Sequence, residues 1–253
     1  MGGRVTFINH ATVLIQLGGM NILTDPVYSR SISYFLPRLK PPGIRFDDLP
    51  PIHLILISHN HYDHLNLRTL RRLRRKNPST VVVSKGNGRY AQRTGFETIH
   101  ELGWGDSVNE NGVTVTAVPA KHFSGRTLWD RNKSVYAGYV IEMKGTTVYF
   151  AGDTAYDGFF ANLGKDFSID VALLPIGAYK PYEWFKNIHL NPGTAVQAFL
   201  DCKASHLVPI HWGTFKISDE PMAEPPQRLK KEAEQAGILD RIHILENGES
   251  FDF

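Results

Sequence analysis

The run Ser58-His59-Asn60-His61-Tyr62-Asp63-His64 follows directly after an apolar segment, Ile52 to Ile57, that is typical of a buried strand. Its three imidazoles and one carboxylate form a dense set of nitrogen and oxygen donors. In an extended stretch, side chains two apart lie on one face, so the first two histidines can hold one ion. The aspartate and the last histidine, after the chain turns, then point to a second ion. An ordinary surface loop rarely has this spacing, and we interpret the run as a metal site.

Three further donors lie just past predicted strands elsewhere in the chain. They are His122, Asp153 and His211, and each follows a run of β-branched residues. Taken alone, each would more often be a satisfied polar residue than a ligand. Loops at strand ends supply the functional groups of many α/β sites, so their shared placement predicts that all seven donors meet at one edge.

The order of predicted elements favours an α/β sandwich with mixed sheets, as one domain over residues 1–253. Early strands come in hairpins, with Gly18-Gly19 as one tight turn, whereas later strands alternate with helices. The pattern also predicts a late strand from Ile242 to Leu245. Helices are predicted from Leu67 to before Pro78, near Ala91, from Asn191-Pro192, and from Pro226 to Ala236.

Composition excludes several classes of protein. No window approaches the roughly 18 apolar residues of a membrane-spanning helix, and no export signal is present. The one cysteine, Cys202, excludes an internal disulfide framework and favours a reducing compartment, so we predict a cytoplasmic protein. A net charge of +3, with no room for an additional nucleic-acid domain, argues against a nucleic-acid partner.

Two surface segments each allow two interpretations. The basic cluster from Arg68 to Lys76 is either a solvated helix face or a site of attraction for anionic lipid headgroups. The segment from Ser29 to Ile52 is either a packed crossing held by prolines or an apolar wall beside the site. The wall would consist of Ile32, Tyr34, Phe35 and Leu36.

The chain resembles the metallo-β-lactamase superfamily, whose signature is the His-x-His-x-Asp-His run. Within it, the sequence resembles N-acyl-phosphatidylethanolamine-hydrolysing phospholipases D and their bacterial relatives. Members usually have an additional N-terminal segment, whereas the first strand here begins near Val5, so the resemblance implies a shortened start. Shared words include His10-Ala11-Thr12, Leu23 to Pro26, Ile57 to Leu65, Phe150 to Thr154, Leu174 to Tyr179, and Ile210 to Phe215.

The resemblance implies an αββα four-layer sandwich with two zinc ions at one edge. Iron or manganese can also occupy such sites. One zinc would be bound by His59, His61 and His122, the other by Asp63, His64 and His211, with Asp153 between both.

The resemblance also places His189 over the site, where it would contact phosphate or protonate the leaving group. The alternative is that His189 caps the helix that begins at Asn191. Arg126 is expected to pair either with a phosphate or with an internal carboxylate. Asp25 and His10 are expected to hydrogen-bond to the metal ligands.

The chemistry expected from this site is hydrolysis. A water shared by two divalent ions can have its pKa lowered from 15.7 to about 7, and the hydroxide can attack without a serine or cysteine nucleophile. Asp63 and Asp153 would fix the ions and, as catalytic residues, take the proton of the water. We therefore predict a zinc-dependent phosphodiesterase of the phospholipase D type, acting on N-acyl-phosphatidylethanolamine or related phosphodiesters.

Two alternatives remain open. The same site could cleave a lactone, ester or β-lactam, or the scaffold could bind metal or membrane without catalysis. The expected partner is a small molecule or phospholipid, with peripheral membrane contact as a further expectation. The oligomeric state stays open.

Overall fold

The computed structural model describes residues 2–33, 36–127 and 129–253. The strands, in chain order, are β1 Arg4–Asn9, β2 Thr12–Leu17, β3 Met20–Thr24, β4 Ser31–Ser33, β5 Leu36–Pro37, β6 Leu54–Ile57, β7 Thr80–Ser84, β8 Ile99–Leu102, β9 Ser107–Glu110, β10 Val113–Val118, β11 Gly138–Met143, β12 Thr146–Phe150, β13 Val171–Pro175, β14 His206–Ile210 and β15 Ser250–Asp252. The α-helices are α1 Leu67–Lys76, α2 Gly88–Gln92, α3 Phe159–Asp166, α4 Tyr182–Phe185, α5 Pro192–Asp201 and α6 Glu224–Gln235.

The strands form two large mixed sheets and one small hairpin. The first sheet has the order β15-β1-β2-β3-β6-β7-β8, and the second has the order β14-β13-β12-β11-β10-β9. Neighbours from β3 to β8 in the first sheet are parallel, as are β12, β13 and β14 in the second, whereas the other pairs are antiparallel. The predicted mixed α/β sandwich is thus confirmed.

Alternating side chains place the first sheet between two apolar layers. On β2, Val13 and Ile15 belong to the core that also contains Val115 of the second sheet, whereas Leu14 packs in a core with Leu70 of α1. Burial of each such side chain contributes about 1.5–3 kcal/mol. Helices α3, α5 and α6 contribute residues such as Phe199 to the core of the second sheet. The layers are therefore helix, sheet, sheet, helix.

Some predicted boundaries are wrong. Residues Ile242 to Leu245 form no strand, because Ile242 makes only one isolated bridge, to Leu207. The last strand is instead β15, which pairs with β1. Helix α6 begins at Glu224, ahead of the predicted Pro226, and β6 begins at Leu54, two residues later than predicted.

The parallel pairings bring the ends of several strands to the same edge. Asp25, just after β3, donates its backbone N–H to the Leu56 carbonyl of β6 at 2.8 Å. In the second sheet, β12 and β14 both run parallel to β13, so the loops that carry Asp153 and His211 leave on one side. No helix in the described ranges is long and apolar enough to cross a bilayer.

Candidate metal centre

Three imidazoles from two sheets meet at this edge. His59 Nε2 lies 2.8 Å from His61 Nδ1, which in turn lies 3.2 Å from His122 Nε2. His59 and His61 follow β6 of the first sheet, and His122 follows β10 of the second. The three nitrogens are close enough to hold one metal ion.

A second group contains one carboxylate and two imidazoles. Asp63 Oδ2 lies 3.4 Å from His64 Nε2 and 3.5 Å from His211 Nε2. His10 belongs to the same cluster, and all its donor atoms lie within 4.8 Å of one another. This group could hold a second ion.

Asp153 lies between the two groups. Its Oδ2 is 3.1 Å from His64 Nε2 and 3.2 Å from His211 Nε2 on one side. On the other side it is 3.8 Å from His122 Nε2 and 4.0 Å from His59 Nε2. A single carboxylate oxygen therefore faces both groups. All seven residues predicted as ligands from the sequence converge in space.

The approach of Asp153 requires a glycine before it. Gly152 has φ +61°, and a Cβ there would lie 2.5 Å from the Cβ of Ser58. This contact brings the β12 loop against the start of the histidine run. Any larger residue would push the two loops apart.

Several buried polar atoms in the cluster lack a hydrogen-bond partner among the described residues. They are His64 Nε2, both ring nitrogens of His211, and Asp153 Oδ1. Such atoms are rare in folded proteins and are costly unless a ligand or water satisfies them. Imidazole nitrogens with carboxylate oxygens are the donor set of zinc, and also of iron and manganese. The residues thus fit a site for divalent metal.

Burial and neighbouring charges determine the pKa values of the residues in the site. Burial lowers the pKa of His59 and of His122 well below the usual range, which keeps both imidazoles in the neutral form that binds metal. Burial alone would raise the pKa of Asp153, but His211 and His64 hold it well below the usual range. Although burial acts to lower it, Asp153 raises the pKa of His211 to about 9.

Hydrogen bonds to the far nitrogens orient three of the imidazoles. Asp25 Oδ2 accepts from His64 Nδ1 at 2.6 Å, and His122 Nδ1 donates to the Ile188 carbonyl at 2.7 Å. The hydroxyl of Ser58 lies 3.0 Å from His59 Nδ1. Each contact leaves Nε2 facing the site. The expected support from Asp25 is observed, whereas the sequence contained no signal for the backbone carbonyl.

His10 forms hydrogen bonds with two members of the second group, one from each sheet. Its Nε2 donates to Asp63 Oδ2 at 2.9 Å, and its carbonyl accepts the His211 N–H at 2.8 Å. Burial lowers the pKa of His10 to about 3, so the ring is neutral. His10, Asp25 and His211 have φ values of 49°, 32° and 60°. Such conformations are strained in non-glycine residues and concentrate at functional sites.

His189 lies beside the centre. Its Nδ1 is 3.9 Å from Asp153 Oδ2 and has no hydrogen-bond partner among the described residues. Burial lowers the pKa of His189 to about 4. The alternative capping role is wrong, because Asn191 caps α5 with its own side chain, in a capping box with Thr194.

Arg126 does not make the expected ion pair with an internal carboxylate. Within the described ranges no carboxylate lies within 4.0 Å of its guanidinium, and its Nη1 instead donates to the carbonyls of Asn60 and Leu65 at 2.7 and 2.8 Å. The expectation of an internal ion pair is therefore wrong.

Arg38 and Leu39, in the segment from Ser29 to Ile52, contact the loop that follows His211. The Leu39 N–H donates to the Thr214 carbonyl at 2.9 Å, and the Arg38 guanidinium lies 4.9 Å from the Phe215 ring. Two residues of the predicted apolar wall, Tyr34 and Phe35, lie outside the described residues. The wall stays a prediction.

Comparison with known proteins agrees with this geometry. The family described as "Beta-lactamase superfamily domain" matches residues 20–212. An uncharacterized protein of Mycobacterium tuberculosis is 39% identical over 250 residues, which cover 95% of this chain and 66% of that protein. The chain thus spans about two thirds of the length of this relative.

Two further matches carry functional names. N-acyl-phosphatidylethanolamine-hydrolyzing phospholipase D 1 of Caenorhabditis elegans is 34% identical over 89% of this chain and 68% of its own. The solved structure of Igni18, a metallo hydrolase from Ignicoccus hospitalis, superimposes with a TM-score of 0.78 at 23% identity, covering 100% of this chain and 99% of that one. The chain belongs to the beta-lactamase superfamily, as the histidine run predicts.

Proposed function

We propose that this chain, as one domain over residues 1–253, is a dinuclear zinc hydrolase. His59, His61 and His122 would bind one ion, and Asp63, His64 and His211 the other. The observation that carries the proposal is the position of Asp153, whose Oδ2 lies within 4.0 Å of imidazole nitrogens from both groups. One carboxylate shared by two donor sets could hold two ions close together, as two-metal hydrolysis needs.

The reaction we propose is hydrolysis of a phosphodiester. Two divalent ions would neutralise phosphoryl oxygens and lower the pKa of water, so no serine or cysteine nucleophile is needed. Asp63 and Asp153 remain ionised and hold the donor groups in place. His189 would contact the substrate phosphate or protonate the leaving group. Its unpartnered Nδ1, 3.9 Å from Asp153 Oδ2, supports this role.

The substrate class we propose is N-acyl-phosphatidylethanolamine or a related phospholipid. The name of the C. elegans relative, 34% identical, supports this class. Lactones, esters and β-lactams are the second candidate class, since ions held by the same donor sets would polarise a carbonyl oxygen.

Exposed aromatic side chains support contact with a membrane surface. Tyr62, Trp129 and Trp184 are 48%, 83% and 76% exposed. They lie in the histidine run, in the segment that follows His122, and in helix α4, which precedes His189. Amphipathic aromatic rings favour the interface between water and lipid. We therefore propose that the protein contacts membranes through these residues. The single cysteine supports the further proposal of a cytoplasmic location.

The basic face of α1 is partly engaged within the protein. Arg74 pairs with Glu97 at 2.6 Å, and Lys76 Nζ donates to the carbonyls of Phe46, Asp47 and Leu49. Arg72 stacks on the ring of Phe46 at 3.7 Å. These contacts favour the solvated-surface interpretation of this cluster over attraction to lipid headgroups.

A substrate panel tests the reaction. The zinc-loaded protein should contain two ions per chain by elemental analysis. It should hydrolyse N-acyl-phosphatidylethanolamine in micelles and a soluble phosphodiester. Turnover of lactones, esters or β-lactams alone would overturn the phosphodiester proposal. Asp63→Ala should lose turnover while its circular dichroism stays unchanged. Zinc binding without turnover of any substrate would favour the non-catalytic alternative.

Vesicle binding tests the membrane contact. The double variant Trp129→Ala and Trp184→Ala should bind vesicles of mixed phosphatidylcholine and phosphatidylglycerol more weakly, with unchanged turnover of the soluble phosphodiester. Leu200→Ala, at another exposed apolar side chain, is the control. The double variant could instead bind vesicles as the wild type does, with salt abolishing this binding. The arginines of α1 would then form the contact.

A further inference from the structure

Residues of one neighbouring segment, described at 123–127 and 129–134, form hydrogen bonds to the outer face of the histidine run. The side chain of Asn60 accepts the Gly125 N–H at 2.7 Å and donates to Ser134 Oγ at 3.0 Å. The hydroxyl of Tyr62 donates to the Arg126 carbonyl at 3.0 Å. Asn60 and Tyr62 alternate with the proposed ligands along the run. The face of the run opposite the donors is thus bound to a single neighbouring segment.

The side chain of Arg126 contacts the chain near the start of the run and again just past its end. Its Nη1 donates to the Asn60 carbonyl, within the run, and to the Leu65 carbonyl, just past its end. Because Nη1 carries two hydrogens, both are committed to these two acceptors. The guanidinium carbon lies 4.0 Å from the centre of the Tyr62 ring. One side chain therefore spans the run from near its start to its end.

Arg126 is itself fixed in place. Asp130 Oδ1 accepts the backbone N–H groups of Arg126 and Thr127 at 2.8 and 2.7 Å. Asp130 Oδ2 accepts from the hydroxyl of Tyr90, whose ring centre lies 5.4 Å from the guanidinium. Burial lowers the pKa of Arg126, and Tyr62, Tyr90, Asp130 and Asp63 oppose this shift only in part. Among the described residues, no carboxylate lies within 4.0 Å of the guanidinium. A cation kept in such a place is compensated by carbonyl dipoles and aromatic faces.

We propose that Arg126 is a positioning residue that sets the spacing of the donors on the histidine run, and not a contact to substrate phosphate. Holding both carbonyls fixes the turn through which His59 and His61 face one ion while Asp63 and His64 face the other. This inference rests on the proposed metal centre. Residues that hold metal ligands typically change metal affinity 10- to 100-fold when they are replaced.

The test compares Arg126→Met with Arg126→Lys, and with Arg131→Met as a matched control. Arg131 is an exposed arginine of the same segment, so the control removes the same charge. Zinc affinity is measured by chelator competition, and geometry by the absorption of cobalt bound in place of zinc. Arg126→Met should weaken zinc binding about 10- to 100-fold, shift the cobalt spectrum and lower kcat with little change in KM. Arg126→Lys should recover part of the loss, and Arg131→Met should match the wild type.

A substrate contact would give the opposite result. In that case Arg126→Met would raise KM for the phosphodiester while zinc affinity and the cobalt spectrum stay unchanged, and the proposal would be overturned. Tyr62→Phe, which removes one hydroxyl, should weaken zinc binding in the same direction but less, so the proposal stays testable if Arg126→Met does not fold.

Failure of the proposed function has a separate signature. It would appear as a wild-type protein that binds no zinc or turns over no substrate. The histidine ring signals in ¹H–¹⁵N spectra of the metal-free protein test Arg126 in that event as well. Signals that are identical in wild type and Arg126→Met would contradict the positioning role.

Discussion

Replacing Asp25 by asparagine should lower both the folding stability of the metal-free protein and its affinity for metal. The two losses can be measured separately. Asp25 is fully buried, and its Oδ1 accepts the Ser58 N–H at 2.8 Å. Its Oδ2 accepts the Ser58 hydroxyl and His64 Nδ1, both at 2.6 Å. Both oxygens already have donors, so we expect Asp25 to support His64 and not to bind metal itself. In Asp25→Asn, an amide nitrogen in place of Oδ2 would face His64 Nδ1–H, and that bond is lost.

The contacts of Asp25 determine the expected changes in unfolding free energy and in zinc affinity. A hydrogen bond to a charged group contributes about 1.5–3 kcal/mol, which is the expected loss of unfolding free energy in metal-free protein. His64 can recover a bond by moving its proton to Nε2, but Nε2 is the atom that faces Asp153 at 3.1 Å. A protonated Nε2 cannot bind metal. We therefore expect zinc affinity to fall about 10- to 100-fold, whichever tautomer forms.

Urea unfolding of metal-free protein and chelator competition for zinc measure the two quantities. Asp157→Asn is the control, because Asp157 is 47% exposed and pairs with Lys121 at the surface. This control should change neither quantity. Wild-type zinc affinity in Asp25→Asn would refute the assignment of Asp25 as the support of His64.

Three further predictions concern His189, Asp130 and proton competition. His189→Ala should lower kcat about 100-fold or more with two zinc ions still bound, whereas loss of zinc would identify His189 as a ligand. Burial would raise the pKa of Asp130, but backbone N–H groups of Thr127 and Arg126 hold it below the usual range. Because a lowered folded-state pKa adds stability that disappears as pH falls, Asp130→Asn should flatten the loss of unfolding free energy between about pH 5 and pH 2. Asp153 raises the pKa of His211 to about 9 against the effect of burial. Because protons and zinc compete for this imidazole, zinc affinity should strengthen from about pH 6 to pH 9. A flat pH profile of zinc affinity by calorimetry would contradict this.

The sequence correctly predicted the elements whose bounds depend on neighbouring residues along the chain. Strand β2 occupies Thr12–Leu17, as predicted, because its apolar residues can pack on both faces of a sheet. Helix α5 begins at Pro192 with Asn191 as its cap, as the sequence indicates. The convergence of the seven donors was also predictable, because parallel strands end at a common edge.

Other features depend on contacts that residue identity does not reveal. Strand β15 is short and partly polar, and only its pairing with β1 makes it a strand. Helix α3 begins at Phe159 without a side-chain cap, so the usual start signal is missing. The acceptor of His122 is the backbone carbonyl of Ile188, and every residue has such a carbonyl. An internal ion pair was one of the two expectations for Arg126, but its side chain binds backbone carbonyls instead.

Each proposed ion site draws donors from both sheets, and this has a thermodynamic consequence. His59 and His61 follow the first sheet and His122 the second, just as Asp63 and His64 are opposed by His211. Ion binding and the packing of one sheet on the other are then reciprocally linked. Metal at 100 times its dissociation constant would stabilise the sandwich by about 2.7 kcal/mol per site. Equally, a cavity opened between the sheets, far from any histidine, would loosen the hold on the ions.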